Sequence, residues 1–311
     1  MGAPLSSKRD PSDGRITTNL VKGKGMDWQG KYKTRATRIG GREFLWGERT
    51  YVMGVINVTP DSFSGDGLAG KPQAALERAL AMEAEGADII DVGAESTRPG
   101  STPISVEEEL RRLIPVLELL ASHLRVPISV DTYKAPVAER ALASGAAMIN
   151  DVWGLKADPG LAQVAARHDV PLVVMHNQKG TQYQDLLPDI LASLGESVRQ
   201  AREAGVPDEH IIIDPGIGFG KTAQHNLEVL RRLREFQTLG YPILVGTSRK
   251  STIGLVLGLP VDQRLEGTAA TVALAIANGV DIVRVHDVKE MARVARMSDA
   301  IVRGWQPAAS A

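Results

Sequence analysis

The stretch Pro127-Ile-Ser-Val-Asp-Thr-Tyr-Lys-Ala-Pro-Val-Ala-Glu-Arg-Ala-Leu-Ala-Ser-Gly-Ala-Ala-Met-Ile-Asn-Asp151 holds one complete unit of a repeating pattern. It opens on a short apolar run, Pro127–Val130, and closes on another, Ala147–Ile149. Between them Pro136 stands where a first-turn proline belongs, and Gly145 where a helix wants a left-handed cap. Working outward, further runs at Tyr51–Ile56, Asp88–Val92, Val170–Met175, Ile211–Ile213, Pro242–Val245 and Asp281–Val285 bring the total to eight. They are short and β-branched and do not alternate with polar residues, as expected of strands covered on both faces.

The segments between the runs are amphipathic. The clearest begins at Ser105, where Glu108 completes a capping-box pattern. Val106, Leu110, Leu113, Leu117, Leu120 and Leu124 then fall on one stripe, and Glu107–Arg111 and Glu108–Arg112 are spaced to pair along the solvent face. Pro72 repeats the first-turn proline, and Gly86, Gly205 and Gly279 the terminal glycine. Eight strand–helix units predict an α/β fold, a single closed (β/α)8 TIM barrel. A doubly wound open sheet is the alternative, weakened because no Gly-x-Gly-x-x-Gly turn follows the first run. The barrel is expected over residues 42–305. A polar, loosely ordered extension (1–41) is expected before it and a short tail (306–311) after it. Between Met1 and Arg49 eleven Lys/Arg stand against five Asp/Glu, but no amphipathic pattern marks a targeting helix.

Composition narrows the function. Lys and Arg total 36 and Asp and Glu 37, so no overall field of one sign is available to hold nucleic acid or an anionic membrane. There is no cysteine, which excludes a disulfide scaffold, a thiolate metal site and a cysteine nucleophile. No apolar run approaches the roughly 20 residues that span a bilayer, and no signal-peptide core follows Met1. A cytoplasmic enzyme acting on small molecules is the expectation. Glycine, 31 of 311 residues, exceeds the usual share of about 7% and clusters just after the apolar runs.

In a barrel of this kind the strand C-termini and the loops after them form the active face. Polar residues that follow each run should therefore converge: Asn57, Asp91, Glu95, Asp131, Asn150, Asp151, His176, Asp214, Ser248, Arg249, Lys250, Arg284 and His286. The basic group after the last two strands suits a phosphate, which arginine grips with a planar fork. Buried carboxylates beside an amide, as at Asp131, Asp214 and Asn150, suit a heterocycle rich in N–H donors. Taken singly each is better explained by a helix cap or a turn. Their recurrence at strand after strand is what favours a site.

Two other signals carry less. Gly216-Ile-Gly-Phe-Gly-Lys-Thr222 imitates a phosphate-cradling loop, but Pro215 occupies the position where the P-loop needs its first glycine. Lys221 is therefore expected to be a loop residue or a local anion contact. The six histidines form no zinc-hydrolase spacing. His123, His168, His210 and His225 are expected at the surface or at helix ends.

The longer motifs are Gly54-Val-Ile-Asn-Val-Thr-Pro-Asp-Ser-Phe-Ser64, Asp91-Val-Gly-Ala-Glu-Ser-Thr-Arg-Pro-Gly100, Ser129-Val-Asp-Thr132, Ile149-Asn-Asp151, Asp214–Thr222, Gly246-Thr-Ser-Arg-Lys250 and Arg284-Val-His286. Together they resemble the dihydropteroate synthase family. The resemblance runs from about Phe44 to the C-terminal helix. It implies an enzyme that joins 6-hydroxymethyl-7,8-dihydropterin pyrophosphate to p-aminobenzoate, giving 7,8-dihydropteroate and pyrophosphate for folate synthesis. It implies that Asp131, Asn150, Asp214 and Lys250 hold the pterin, with Met175 and Phe219 as apolar neighbours. Asn57, Arg284 and His286 match the pyrophosphate site, with Asn57 toward Mg2+, and Asp131, Lys250, Arg284 and His286 would carry the chemistry. Phe63, Thr97, Arg98, Pro99 and Ser248 match positions that frame p-aminobenzoate. A homodimer is implied as well. The sequence departs from the family's pattern at Ser64-Gly-Asp-Gly67, at Asn177 and at Ala94, all outside the residues given a chemical role.

The chemistry suits these residue types. An arylamine is a weak nucleophile, so the pterin methylene must be made strongly electrophilic. An SN1-like departure of pyrophosphate does this, provided the site holds the ring, neutralises the leaving oxygens and excludes water, with a bimolecular displacement as the alternative. Two rivals stay open. A methyltetrahydrofolate-dependent corrinoid methyltransferase would share the pterin pocket but needs no cations at Ser248–Lys250 and Arg284–His286. A non-catalytic pterin-binding barrel would bind ligand and release no pyrophosphate.

Overall fold

The computed structural model describes residues 32–59, 67–97 and 101–305. A two-stranded hairpin, β1 (Ala36–Ile39) and β2 (Arg42–Leu45), precedes a sheet of eight parallel strands. The sheet strands are β3 (Tyr51–Asn57), β4 (Ile89–Gly93), β5 (Ile128–Asp131), β6 (Met148–Asp151), β7 (Leu172–Met175), β8 (Ile211–Asp214), β9 (Leu244–Val245) and β10 (Ile282–Val285). They run β8-β7-β6-β5-β4-β3-β10-β9, and a parallel bridge between Ile213 and Ile243 joins the two ends into a barrel. The helices outside it are α1 (Pro72–Glu85), α2 (Val106–Ala121), α3 (Ala135–Ala143), α4 (Gly160–His168), α5 (Leu186–Glu203), α6 (Ala223–Arg231), α7 (Ser251–Leu257), α8 (Leu265–Ala277) and α9 (Val288–Val302).

All eight apolar runs became strands. Five of them, β3, β4, β5, β6 and β8, extend past the end of the run by one or two residues, to Asn57, Gly93, Asp131, Asp151 and Asp214. Asn57, Asp131 and Asp214 continue the ladder because their side chains face a polar layer inside the barrel, whereas Asp151 faces the other way and accepts the Trp153 and Leu155 N–H groups at 2.8 and 2.6 Å.

Helix α2 shows how local chemistry sets an element. Ser105 Oγ accepts the Glu108 N–H at 3.2 Å, so the helix starts where the pattern placed it. The return arm of the capping box does not form. Glu108 instead accepts from both Arg111 (2.7 Å) and Arg112 (2.6 Å), because a carboxylate at that position reaches the i+3 and i+4 guanidiniums on its own face. The expected Glu107–Arg111 pair is thereby replaced. A full reciprocal box forms at Thr222 and His225, capping α6.

The hairpin is an element that apolar periodicity did not announce, and it takes in residues 36–41 from the expected extension. Gly40 and Gly41, with φ of 53° and 80°, make a two-residue turn that only left-handed conformations close, and Ile39 pairs with Arg42 across it. Its apolar side chains plug the bottom of the barrel. Ile39, Phe44 and Trp46 pack with Tyr51, Met53, Ile89, Met148, Val173, Ile212, Leu244 and Ile282 in one buried cluster. The Phe44 and Tyr51 rings lie 4.7 Å apart, and Trp46 meets Tyr51 edge-on at 5.6 Å. Trp46 Nε1 donates to Thr37 Oγ1 at 3.0 Å, so the indole is buried without an orphaned N–H. The rest of the extension (1–31) and the tail (306–311) lie outside the described residues.

Candidate active site

Strand alternation builds the site. Side chains two residues apart share a face, so each inward residue of the plug layer has an inward neighbour one step, about 6–7 Å, nearer the C-terminal mouth. On β4 the step runs from Ile89 to Asp91, on β6 from Met148 to Asn150, and on β8 from Ile212 to Asp214. On β10 it runs from Ile282 to Arg284, and on β7 from Val173 to Met175. The intervening residues, such as Ile90, Ile149, Ile213 and Val283, join the separate cluster under the helices. An apolar floor thus carries a polar layer directly above it.

Arg284 organises that layer. Its Nε donates to Asp91 Oδ2 at 2.6 Å and its Nη2 to Asp131 Oδ2 at 2.7 Å. Asn150 Nδ2 also donates to Asp91 Oδ2, at 3.1 Å. Burial pulls against the Arg284 charge, but the two carboxylates outweigh it and leave the guanidinium above its ordinary pKa. Burial likewise raises Asp131 well above the carboxylate range, with the Arg284 charge opposing and the Asp91 charge adding to it. Three buried acceptors or hydroxyls here, Asp91 Oδ1, Asp131 Oδ1 and Ser129 Oγ, have no hydrogen-bond partner among the described residues. Groups of that kind carry a desolvation cost that a ligand's N–H donors would relieve.

Asp214 faces the same space. Burial pushes it up to about 6, although the Gly216 N–H (2.7 Å) and the charges of Lys250, Lys221 and Arg284 pull the other way. It begins the Gly-rich loop, which folds back against β7. Gly216 has φ 72°, and a Cβ there would lie 2.0 Å from the His176 carbonyl oxygen, so no other residue fits. Lys221 fastens the loop from within. Its Nζ meets the carbonyls of Gly216 (3.0 Å) and Phe219 (3.1 Å) and His176 Nδ1 (2.9 Å). Burial lowers Lys221 to about 7 and His176 to about 3, so His176 is the neutral acceptor of that pair. Lys221 is a clamp for the loop, and it does not face the mouth as a nucleotide lysine would. The loop presents Phe219 to Lys250, whose Nζ stands 4.3 Å from the ring centroid.

Beside this pocket, between β3, α1 and β10, lies a cavity of about 310 Å³ lined by Asn57, Arg78, Arg249, His286, Leu68 and Met82, with Val55 and Ile56. Ser248 Oγ contacts both the backbone N–H (3.2 Å) and Nδ1 (3.0 Å) of His286. The sequence assigned these two residues to different substrates, and they stand together. Arg249 takes a left-handed φ of 57° and is gripped by Asp287 through two bonds of 3.0 and 2.5 Å. Arg78 was not anticipated. It donates to the His286 carbonyl at 2.9 Å from an ordinary exposed position on α1, where no sequence signal distinguishes it. A larger hollow, about 470 Å³, lies among Arg199, Arg202, Glu203 and Asp208 at the N-terminal end of β8, away from every residue above. Thr97 is half-buried just after β4, whereas Phe63, Arg98 and Pro99 lie outside the described residues.

A closed parallel barrel with a carboxylate–amide layer at its mouth and a cationic cavity alongside defines the class: a barrel enzyme for a polar heterocycle bearing an anionic group. The family model for "Pterin binding enzyme" matches residues 53–286. The dihydropteroate synthase of Bacillus subtilis is 56% identical over 255 residues, covering 82% of this chain and 90% of that protein. That of Clostridium beijerinckii is 52% identical over 267 residues, covering 86% and 99%. The solved dihydropteroate synthase of Xanthomonas albilineans in complex with 7,8-dihydropteroate superimposes with a TM-score of 0.77 at 37% identity, over 86% of this chain and 98% of that one. The chain belongs to the pterin binding enzyme family, and within it to the dihydropteroate synthases.

Proposed function

We propose that the protein condenses 6-hydroxymethyl-7,8-dihydropterin pyrophosphate with p-aminobenzoate, giving 7,8-dihydropteroate and pyrophosphate. The observation that carries this reading is the pairing of two neighbouring environments. One is a buried layer of Asp91, Asp131, Asn150 and Asp214 in which Asp91 Oδ1 and Asp131 Oδ1 are unmet, and the other is a cavity holding Arg78, Arg249 and His286. The first suits the amino-pyrimidinone edge of a pterin and the second its pyrophosphate.

In this reading Asp131, Asn150 and Asp214 accept and donate along the edge of the ring. Lys250 covers the ring with Phe219, and Met175 supplies the apolar wall. The methylene carbon–oxygen bond breaks and its electron pair leaves with pyrophosphate. The positive charge that develops on carbon spreads into the pterin and is favoured by the Asp131 carboxylate. Arg284, His286 and Asn57 meet the departing oxygens. The amine nitrogen, framed by Thr97, Ser248 and the flanking Phe63, Arg98 and Pro99, then bonds to the carbon and releases its proton.

Magnesium fits sparsely and in a particular way. The described residues hold no group of three His, Cys, Asp or Glu side chains able to form a protein cage. Asn57 offers one amide oxygen at a cavity that Arg78, Arg249 and His286 share with apolar side chains, and Mg2+ commonly takes one or two protein ligands and completes its shell with substrate phosphates and water. Asn57 would thus hold an ion carried in on the pyrophosphate, and the ion would neutralise leaving-group charge.

A homodimer is part of the proposal. What supports it is a band of exposed apolar side chains on the neighbouring helices α7, α8 and α9, including Leu255, Leu257, Leu274, Met297 and Ile301. A cytoplasmic site of action is part of the proposal too; no described helix is long and apolar enough to cross a membrane. The test of function is product formation: dihydropteroate and pyrophosphate should appear in equal amounts from the two substrates. Retention of the pterin without pyrophosphate release would point to a binding protein instead.

A further inference from the structure

The connection from β4 to α2 is held at both feet by one ammonium group. Lys134, the residue before α3, donates from Nζ to Glu95 Oε2 just after β4 and to the Ile104 carbonyl at 2.7 Å just before α2. Its third bond goes to Glu109 Oε2 on α2, at 2.7 Å. All three ammonium donors are therefore used. Tyr133 adds a hydroxyl bond to Glu95 Oε1 at 2.5 Å. The cluster is buried: the side chains of Glu95, Glu109 and Lys134 are 5%, 1% and 14% exposed. None of these four residues has a part in the chemistry proposed above.

Stability alone does not account for such a cluster. Buried ion networks are often no more stabilising than well-packed apolar side chains of similar volume, because desolvation cancels most of the attraction. Two carboxylates on one ammonium also leave a net negative charge inside. What the network does provide is geometry. It fixes the distance between Glu95 and Ile104, and it ties both to the backbone that follows Asp131 on β5. Thr97 stands two residues beyond Glu95, at the mouth.

We propose that Lys134 is a positioning residue for the arylamine: by joining Glu95 to the Ile104 carbonyl, it sets where Thr97 stands and thereby tunes p-aminobenzoate binding. The inference rests on the dihydropteroate synthase reading of Thr97. The pterin residues Asn150, Asp214 and Lys250 sit on other strands and loops and owe nothing to this tether. Pterin binding is therefore the internal control, and a demanding one, because Asp131 lies only three residues from Lys134.

The experiment is steady-state kinetics with each substrate varied in turn, for the wild type and for Lys134→Met, Lys134→Arg and Glu95→Gln. Lys134→Met should raise KM for p-aminobenzoate about tenfold or more, with kcat and the pterin KM within about twofold. Lys134→Arg should recover part of the loss, since a guanidinium can still bridge a carboxylate and a carbonyl. Glu95→Gln keeps the Lys134–Glu109 pair, so it tests the tether even if Lys134→Met does not fold, and should raise the same KM several-fold. Equal rises in both KM values, or no change in either, would overturn the inference while wild-type turnover preserved the function. A wild type that makes no dihydropteroate would remove the function reading and this inference with it.

Discussion

Replacing Arg284 with methionine should destabilise the protein in a pH-dependent way. The guanidinium joins two buried carboxylates through bonds of 2.6 and 2.7 Å. At about 4 Å between charge centres and an effective dielectric near 20, each attraction is worth about 4 kcal/mol before desolvation is subtracted. Removing one partner from a buried pair typically costs about 3–5 kcal/mol, because the remaining charge keeps its desolvation penalty. Methionine leaves two carboxylates facing each other, and one of them must take a proton. The sign follows from linkage. Burial already holds Asp131 above its unfolded pKa, and the Arg284 charge is the largest influence pulling it back. Without that charge the folded pKa rises further, so stability is retained at low pH and lost as pH rises through the new value. Urea unfolding should show a loss of about 3–5 kcal/mol at pH 8 that shrinks markedly by pH 5.5. A loss below about 1 kcal/mol, or the same loss at both pH values, would refute the buried-triad argument.

Further expectations concern ligand and loop. Because burial sets Asp214 at about 6, pterin affinity should fall as pH drops from 8 to 5, by about tenfold from this carboxylate alone. Calorimetry across that range checks it, and a flat profile for the wild type would count against Asp214 as an ionised pterin contact. Lys250→Ala should weaken pterin binding and leave the fold intact, read by the same titration and by thermal melting. Gly216→Ala should cost several kcal/mol, since its Cβ would stand 2.0 Å from a carbonyl oxygen; a melting temperature within a degree or two of wild type would mean that the loop can move aside.

The strands were legible because a parallel barrel strand is buried on both faces, and burial leaves an unbroken apolar run. The same logic hid the strand ends. Asp131, Asn150 and Asp214 break the run, yet they continue the ladder because their neighbours inside the barrel are polar too. The hairpin at Ala36–Leu45 was missed, although Gly40-Gly41 is a recognisable turn signal; β1 and β2 are four residues each, too short for a period to register. The polar residues of the site could be named from their place after each run. Their partners could not, because pairing depends on register across strands distant in sequence. Arg284 and Asp91 are separated by 193 positions and meet only through the order β4-β3-β10. Arg78 and Lys134 show the limit most plainly. On the chain each is an ordinary helix-end or helix-face cation, and only folding sets one against the His286 carbonyl and the other between two feet of a loop.

The most direct test mixes purified protein with the pterin pyrophosphate, p-aminobenzoate and Mg2+, and follows pyrophosphate release together with product mass. Dihydropteroate and pyrophosphate should appear in equal amounts, both abolished by chelation of magnesium and both strongly reduced in Lys250→Ala. Pterin that binds and is recovered unchanged, with no pyrophosphate released when the arylamine is added, would contradict the proposed function.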